Sequence, residues 1–314
     1  TYRDLQAFLP QWRQAIEVIY SPRTSFFIPL PRTPVGTMAA KALAVAVHDS
    51  QFQKADDPLR AHLLAEAIQR ALVDGGRGFA TVAPVRENRL DYEPEEPRVR
   101  LSAAYIEGLS KSIIADRVVR LAAGQASQPP RSSVGGQTSF TVGDRTGNAV
   151  ACFVTMNRDF GVGTPVRGTG VHLAAPVAST DQRDLSAALL MLARRDKDLL
   201  YMAASASGGN TAQAALIQAA LRAAGDTPDD MDTAVKWSRL YRDPAAVVTY
   251  VEEGAPASIV NGLRQRGHEV RTIAPFGRVN MMFCGTGLPS QAKTPDCAMR
   301  SDPRGFGLST APSS

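Results

Sequence analysis

A layered α/β fold, with strands packed among helices, is predicted by three stretches of this 314-residue sequence. In the first, Phe140-Thr141-Val142 meets the turn Asp144-Arg145-Thr146-Gly147-Asn148 and then the apolar run from Ala149 to Met156, which reads as a hairpin leading into a buried strand. In the second, the short apolar run Leu199 to Ala204 passes through Ser205-Ala206-Ser207-Gly208-Gly209 into a helical stretch from Thr211 to Ala223, closed by Gly225. The third is Leu59 to Leu72, where Leu64, Ile68 and Leu72 recur at four-residue spacing while Glu66, Gln69 and Arg70 lie elsewhere, the pattern of an amphipathic helix.

The remaining elements follow in order. Asp4 to Phe8 suggests a short helix or turn, and Glu17-Val18-Ile19-Tyr20 and Ser25-Phe26-Phe27-Ile28 read as strands. Pro29, Pro31 and Pro34 break the second strand before Gly36 opens a helix. Its Met38, Leu43, Val45 and Val47 point to many sides, so it belongs in the interior. Gly75-Gly76 is expected to stop the amphipathic helix. The charged, Pro-containing segment from Val85 to Arg100 reads as a surface excursion, and a helix is predicted from Ser102 through Leu121 to Gly124. Gln125 to Gly136, with Pro129-Pro130 and Gly135-Gly136, has linker composition and is the main boundary of the chain. Beyond the second stretch, Asp229 to Leu240 suggests a helix, Val247 to Val251 a strand, and Ser258 to Arg266 a helix capped by Gly267.

Composition narrows the function classes. With 44% hydrophobic residues the chain can bury a substantial core as one large domain or two ordinary ones. No apolar run approaches the roughly 18 to 20 residues of a membrane span. The start, Thr1-Tyr2-Arg3-Asp4, lacks both Met and a signal-peptide layout, so Thr1 reads as a processed or truncated beginning. The net charge of +5 is spread over interleaved signs, as in Arg194-Arg195-Asp196-Lys197-Asp198, which describes a solvated surface rather than a nucleic-acid partner. Aromatics amount to 6% and form no stacking ladder beside basic residues.

Cys152 lies in an apolar run and reads as a buried small hydrophobe. Cys284 and Cys297 flank the loop Gly285-Thr286-Gly287-Leu288-Pro289, where they either form a disulfide, which argues for an oxidising compartment, or stay free. The histidines His48, His62, His172 and His268 show no short metal-ligand spacing and read as structural or exposed. Gly161-Val162-Gly163 precedes no helix of dinucleotide-binding type, and no phosphate-binding Gly-Lys-Ser/Thr loop occurs. No cofactor is expected.

The segment Gln137-Thr138-Ser139-Phe140-Thr141, followed by Asp144, Gly147, Asn148, Ala149 and Val150, resembles the beginning of the small subunit of γ-glutamyltransferases. Gly208-Gly209 and the closing Ser301-Asp302-Pro303-Arg304 resemble the same subunit, so 137–314 is similar to it throughout. Asp4-Leu5-Gln6-Ala7-Phe8 and His62-Leu63-Leu64-Ala65-Glu66-Ala67 resemble the late part of the large subunit, so 1–124 is read as that part, 125–136 as the linker, and the whole as one composite domain. The resemblance implies a four-layer αββα sandwich of the N-terminal-nucleophile hydrolase type. It also implies a protein partner or an upstream large-subunit portion, including an arginine that grips the substrate carboxylate in the family.

In that family a precursor cuts itself before a Thr-Thr-His-Phe/Tyr-Ser/Thr run, and the freed Thr becomes the nucleophile with its own amine as base. The frame places Gln137, which has no hydroxyl, at that position. Gly208 and Gly209 match the glycine pair whose amides form the oxyanion hole, and glycine suits a close backbone approach. Thr155 and Asn157 match positions that bear on the nucleophile and the substrate, and their spacing of two puts them on one face of a strand. Ser186 matches the first of two carboxylate-binding serines, whereas Ala187 replaces the second. The amino-group-binding segment becomes Ala174-Ala175-Pro176-Val177-Ala178-Ser179, with no carboxylate.

Two functions are therefore expected as alternatives. The first is a γ-glutamyltransferase-like protein that does not process itself, is catalytically impaired and acts as a binding or structural subunit. The second is an active γ-glutamyl amide hydrolase or acyltransferase with Thr138 as N-terminal nucleophile after self-cleavage. Neighbouring strand residues point to opposite faces, so without a bulge Thr138 aims away from Gly208-Gly209. The expected location is the periplasm or another exported compartment, with the cytoplasm as the alternative.

Overall fold

The computed structural model describes residues 2–7, 9, 15–29, 35–48, 50–78, 101, 103–121, 136–176, 188–194, 199–224, 230–242, 248–289 and 296–310. Its centre is a six-stranded antiparallel sheet in the order β1-β2-β5-β6-β10-β11. These strands are β1 (Ala15–Ile19), β2 (Thr24–Pro29), β5 (Ala188–Arg194), β6 (Leu199–Ser207), β10 (Arg278–Leu288) and β11 (Cys297–Arg300). Residues before and after the linker thus share one sheet, with Phe27 of β2 opposite Met191 of β5. Strands β3 (Gln137–Gly143) and β4 (Ala149–Thr155) form a separate hairpin, and β7 (Leu240–Arg242), β8 (Val248–Glu252) and β9 (Glu269–Ile273) a third sheet.

Alternation along β6 assigns the faces of the main sheet. Met202, Ala204 and Ala206 join the main core with Leu43, Leu64, Ile68, Leu216 and Ile217. Those residues come from helices α2 (Val35–His48), α4 (Asp57–Gly78) and α6 (Ala212–Ala224), which cover this side. Burying each large aliphatic chain contributes about 1.5–3 kcal/mol. Between them, Ala203 and Ser205 turn to the hairpin, where Ala203, Met282, Cys284 and Leu288 form a smaller core packed by Ala149 and Met191. Thr141 Oγ1 lies 3.1 Å from Ser205 Oγ, and Asn280 Nδ2 donates to Ser139 O at 2.8 Å. Gly143 lets the hairpin come this close, since a Cβ there would lie 2.5 Å from the Met282 methyl. The described residues thus build a helix layer and two stacked sheets.

Several expectations are corrected. Helix α4 runs through Gly75-Gly76 to Gly78. Helix α5 (Ala103–Lys111) ends ten residues before Leu121, because tertiary partners take the carbonyls that would continue its ladder. Arg70 donates to Ser112 O, Arg266 to Ala115 O and Arg242 to Val119 O. Helix α7 (Met231–Lys236) is capped by Asp230, which accepts from Asp232 N and Thr233 N, and it stops before Leu240 for the same reason. Val235 O and Trp237 O are claimed by Arg304, so the chain leaves as β7. Helices α1 (Tyr2–Ala7), α3 (Ser50–Lys54) and α8 (Ala257–Gln265) complete the set.

Strand β4 is half-buried at most, its inner face included, and Cys152 within it is half-buried as well. Strands β5, β9, β10 and β11 have no counterpart in the sequence expectations. All of the 85–100 excursion, the linker except Gly136, and Ser186 with Ala187 lie outside the described residues. Among the described residues no helix is long and apolar enough to cross a membrane.

Candidate functional site

The start of β3 faces the end of β6. There the chain turns from strand into helix through Gly208 (φ 124°) and Gly209 (φ 69°), a left-handed passage that favours glycine. A Cβ on Gly208 would lie 2.8 Å from Gly277 Cα, so the backbones touch. Thr211 Oγ1 fixes the turn by donating to Gly208 O at 3.0 Å. The two glycine amides converge on one acceptor, the Gln137 side-chain oxygen, at 3.4 Å from Gly208 N and 3.2 Å from Gly209 N. Gln137 therefore delivers a carboxamide to the glycine pair.

Thr138 is exposed on the opposite face of β3, where Val154 is its cross-strand partner. Thr155 lies directly opposite Gln137. The strand ends there, and Asn157 adopts a left-handed conformation (φ 63°), so Thr155 and Asn157 do not continue one strand face. Thr155 Oγ1 accepts from Asn157 N at 3.0 Å, and Asn157 Nδ2 donates to Ala175 O at 2.6 Å. Asn157 Oδ1 is buried without a hydrogen-bond partner. The hairpin turn is self-sufficient, because Asp144 accepts from Asn148 and Thr146, which holds its carboxyl at about 2.

A buried charge network supports the glycine turn from below. Arg239 pairs with Asp302 at 2.5 Å and donates to Phe276 O and Gly277 O, while Asp302 accepts from Val279 N. Glu252 joins it by accepting from Arg304, Arg239 N and Phe276 N. The Ser301-Asp302-Pro303-Arg304 segment thus anchors Gly277, which backs Gly208.

The histidines hold a feature their spacing does not reveal. His62, Glu66 and His268 are buried, with potential ligand atoms within 4.8 Å of one another. Every one of those atoms already has a partner. His62 Nε2 can only donate to Ile114 O, so its Nδ1 accepts from His268 Nε2 at 2.7 Å. His268 Nδ1 then accepts from Thr249 Oγ1 and Arg242 Nη1. Glu66 pairs with Arg70 at 2.7 Å and Arg242 at 2.6 Å. Both rings are neutral: burial lowers His62, and burial with the Arg242 charge holds His268 at about 3. This donor set fits a structural joint rather than a metal. A separate cavity of about 50 Å³, lined by Asp57, Arg60, Arg222 and Trp237 among others, is too small for a peptide-sized ligand.

The gamma-glutamyltranspeptidase family model matches residues 1–308. The chain belongs to the gamma-glutamyltranspeptidase family. A glutathione hydrolase proenzyme of Pseudomonas aeruginosa is 25% identical to this family member over 182 residues, covering 55% of the chain and 29% of the relative. Cephalosporin acylase from Bacillus halodurans superposes with a TM-score of 0.64 at 19% identity, over 97% of this chain and 54% of that chain. A mutant gamma-glutamyltranspeptidase of Helicobacter pylori aligns with a TM-score of 0.44 at 21% identity, over 54% of this chain and all of that one. The chain therefore spans about 29% of its curated relative and about half of the acylase. Like other members of the gamma-glutamyltranspeptidase family, it has the layered N-terminal-nucleophile fold, from which the described residues supply one helix layer and both sheet layers.

Proposed function

We propose that this gamma-glutamyltranspeptidase-family chain neither cuts itself nor hydrolyses γ-glutamyl amides, and acts as a binding or structural subunit. One observation carries the reading: Gln137, the residue in the nucleophile position, has no hydroxyl and lays its own carboxamide on Gly208 N and Gly209 N. Acyl transfer needs an activated nucleophile beside oxyanion donors, and here the donors face an amide oxygen. The Ala174 to Ser179 segment adds support, since it carries no carboxylate for a substrate ammonium. The P. aeruginosa relative is named a glutathione hydrolase proenzyme; glutathione hydrolysis is not assigned to this chain.

The partner in this reading is a protein segment corresponding to the part of the relatives that the chain does not span. The pairing of β2 with β5 supports treating 1–124 and 137–314 as one composite domain. The Cys284–Cys297 bond, with the two residues paired across β10 and β11, supports an oxidising, exported location. A thiol count of one, from Cys152, in protein isolated without reductant checks that location.

Intact-mass analysis with an amide-hydrolysis assay tests the function. A single 33.5 kDa species without turnover is expected. Fragments meeting at 136/137 or 137/138, together with hydrolysis, overturn the proposal.

A further inference from the structure

Away from the glycine turn, beside the last turn of helix α6, the packing of α3, α4, α6, α8 and the third sheet leaves the cavity of about 50 Å³. Its floor is aliphatic, made by the buried chains of Leu64, Leu221, Leu240, Val251 and Ile259. Its rim carries charge. Arg222 stacks on the Trp237 ring, with its guanidinium carbon 3.5 Å from the ring centre, and donates to Asp57 Oδ1 at 2.9 Å. Arg60 donates from Nε to Phe52 O at 3.3 Å and from Nη2 to Gln53 O at 3.1 Å, which fixes the plane of its guanidinium. Its Nη1 stands 4.0 Å from Asp57 Oδ1, beyond hydrogen-bond length.

Three donors at the rim have no acceptor among the described residues: Arg60 Nη1, the Trp237 indole N–H and the Ser238 hydroxyl, all in half-buried residues that line the cavity. Two guanidinium groups face one carboxylate there, so the rim has one positive charge in excess. Unpaired donors above an apolar floor suit a ligand with an anionic head and a hydrocarbon tail. A water-sized group needs roughly 10–15 Å³ of such space, so the cavity admits a chain of about three or four carbons.

We propose that this cavity is a binding site for a short aliphatic monocarboxylate. The carboxylate accepts from Arg60, Trp237 and Ser238, and the tail lies against the leucines of the floor. An inorganic anion would serve the rim and leave the floor uncovered; an alcohol would cover the floor and leave the excess charge unanswered. No bond is made or broken. For a ligand of this size a Kd on the order of 1 mM is expected.

The chain has two tryptophans, so Trp12→Phe leaves Trp237 as the one indole of the full-length protein, and its 15N-labelled indole N–H gives a single resonance. The probes are sodium butyrate, sodium acetate and sodium sulfate, exchanged for chloride at constant ionic strength. Butyrate is expected to shift the resonance saturably, with a Kd about tenfold below that of acetate because two more methylenes leave water. Arg60→Gln keeps much of the side chain but removes its charge, and is expected to weaken butyrate binding by about tenfold or more. Ser238→Ala, which removes a hydroxyl without a partner, gives the same reading at about threefold to tenfold if Arg60→Gln does not fold. No saturable shift up to about 100 mM, a hundred times the expected Kd, overturns the proposal. So does equal affinity for acetate and butyrate, sulfate binding as tightly as butyrate, or undiminished butyrate affinity in the folded variants.

Discussion

Protonating His268 inside the folded chain breaks a continuous donor chain, from Arg242 and Thr249 through His268 and His62 to Ile114 O. Its folded pKa of about 3 lies below the ordinary 6.5, so between these values the unfolded chain binds the extra proton. The stability that His268 contributes is thus complete above pH 6.5 and is lost as pH falls toward 3, at up to about 1.4 kcal/mol per pH unit. Urea midpoints from pH 7 to 4 are expected to fall more steeply for the native chain than for His268→Gln. Equal slopes would refute the assignment. The sequence marks both histidines yet cannot pair them, because their partnership depends on α4 lying against α8 and β7. Gln137 presents the same difficulty: its lack of a hydroxyl is legible, but its reach to a turn 71 residues away is a property of stacked sheets.

At the scale of elements, Gly277 and the Arg239–Asp302 pair determine how well the glycine turn is seated. A methyl at Gly277 would lie 2.6 Å from Ala215 Cβ, in a residue held at φ 66°. Gly277→Ala is expected to cost about 1–3 kcal/mol in urea denaturation and to shift the Gly208 amide resonance. A loss below 0.5 kcal/mol, or an unmoved resonance, contradicts this close packing. Removing Arg239 leaves Asp302 buried without its strongest partner, so Arg239→Met is expected to cost about 3–5 kcal/mol. In a double-mutant cycle with Asp302→Asn, the two losses should fall short of adding by at least about 1 kcal/mol, and strict additivity would show that the pair is not coupled.

Elements with a clear local period or a clear turn at their ends, such as α4, α6 and the hairpin, were legible in the sequence. Ala188–Arg194 was not, because Ala-Leu-Leu-Met-Leu-Ala-Arg suits a helix equally well and becomes β5 through its neighbours β2 and β6. Strand β10 hides behind Asn280, Gly285 and Gly287, which interrupt any two-residue alternation. The early ends of α5 and α7 come from arginines that are distant in sequence, beyond the reach of a local rule.

For the whole molecule, the outer face of the hairpin stands out. Phe140, Val142, Val150 and Val154 are 46, 57, 55 and 46% exposed, all on the side turned away from the main sheet. Phe160, Val162, Val171 and Leu173 add further exposed apolar chains in the segment that follows. A row of this kind is unusual on a free monomer. The isolated chain is expected to bind a hydrophobic dye and to self-associate. Phe140→Thr with Val154→Thr should reduce both while changing stability by about 0.5 kcal/mol or less per site. A loss of several kcal/mol would mean that this face is buried in the chain itself.

The join between Phe27 and Met191 also governs the order in which the molecule can be assembled. The β1–β2 ribbon is synthesised before its sheet partner β5, so it waits with one edge unpaired while the intervening chain is added. Such distant pairing forms late, after the entropy of closing the loop has been overcome. In pulse-labelling hydrogen exchange during refolding, amides at the β6–β10 seam are expected to gain protection before those at β2–β5. The reverse order would place nucleation at the β1–β2 ribbon. Until that seam closes, the ribbon is the stretch most open to pairing with a neighbouring nascent chain.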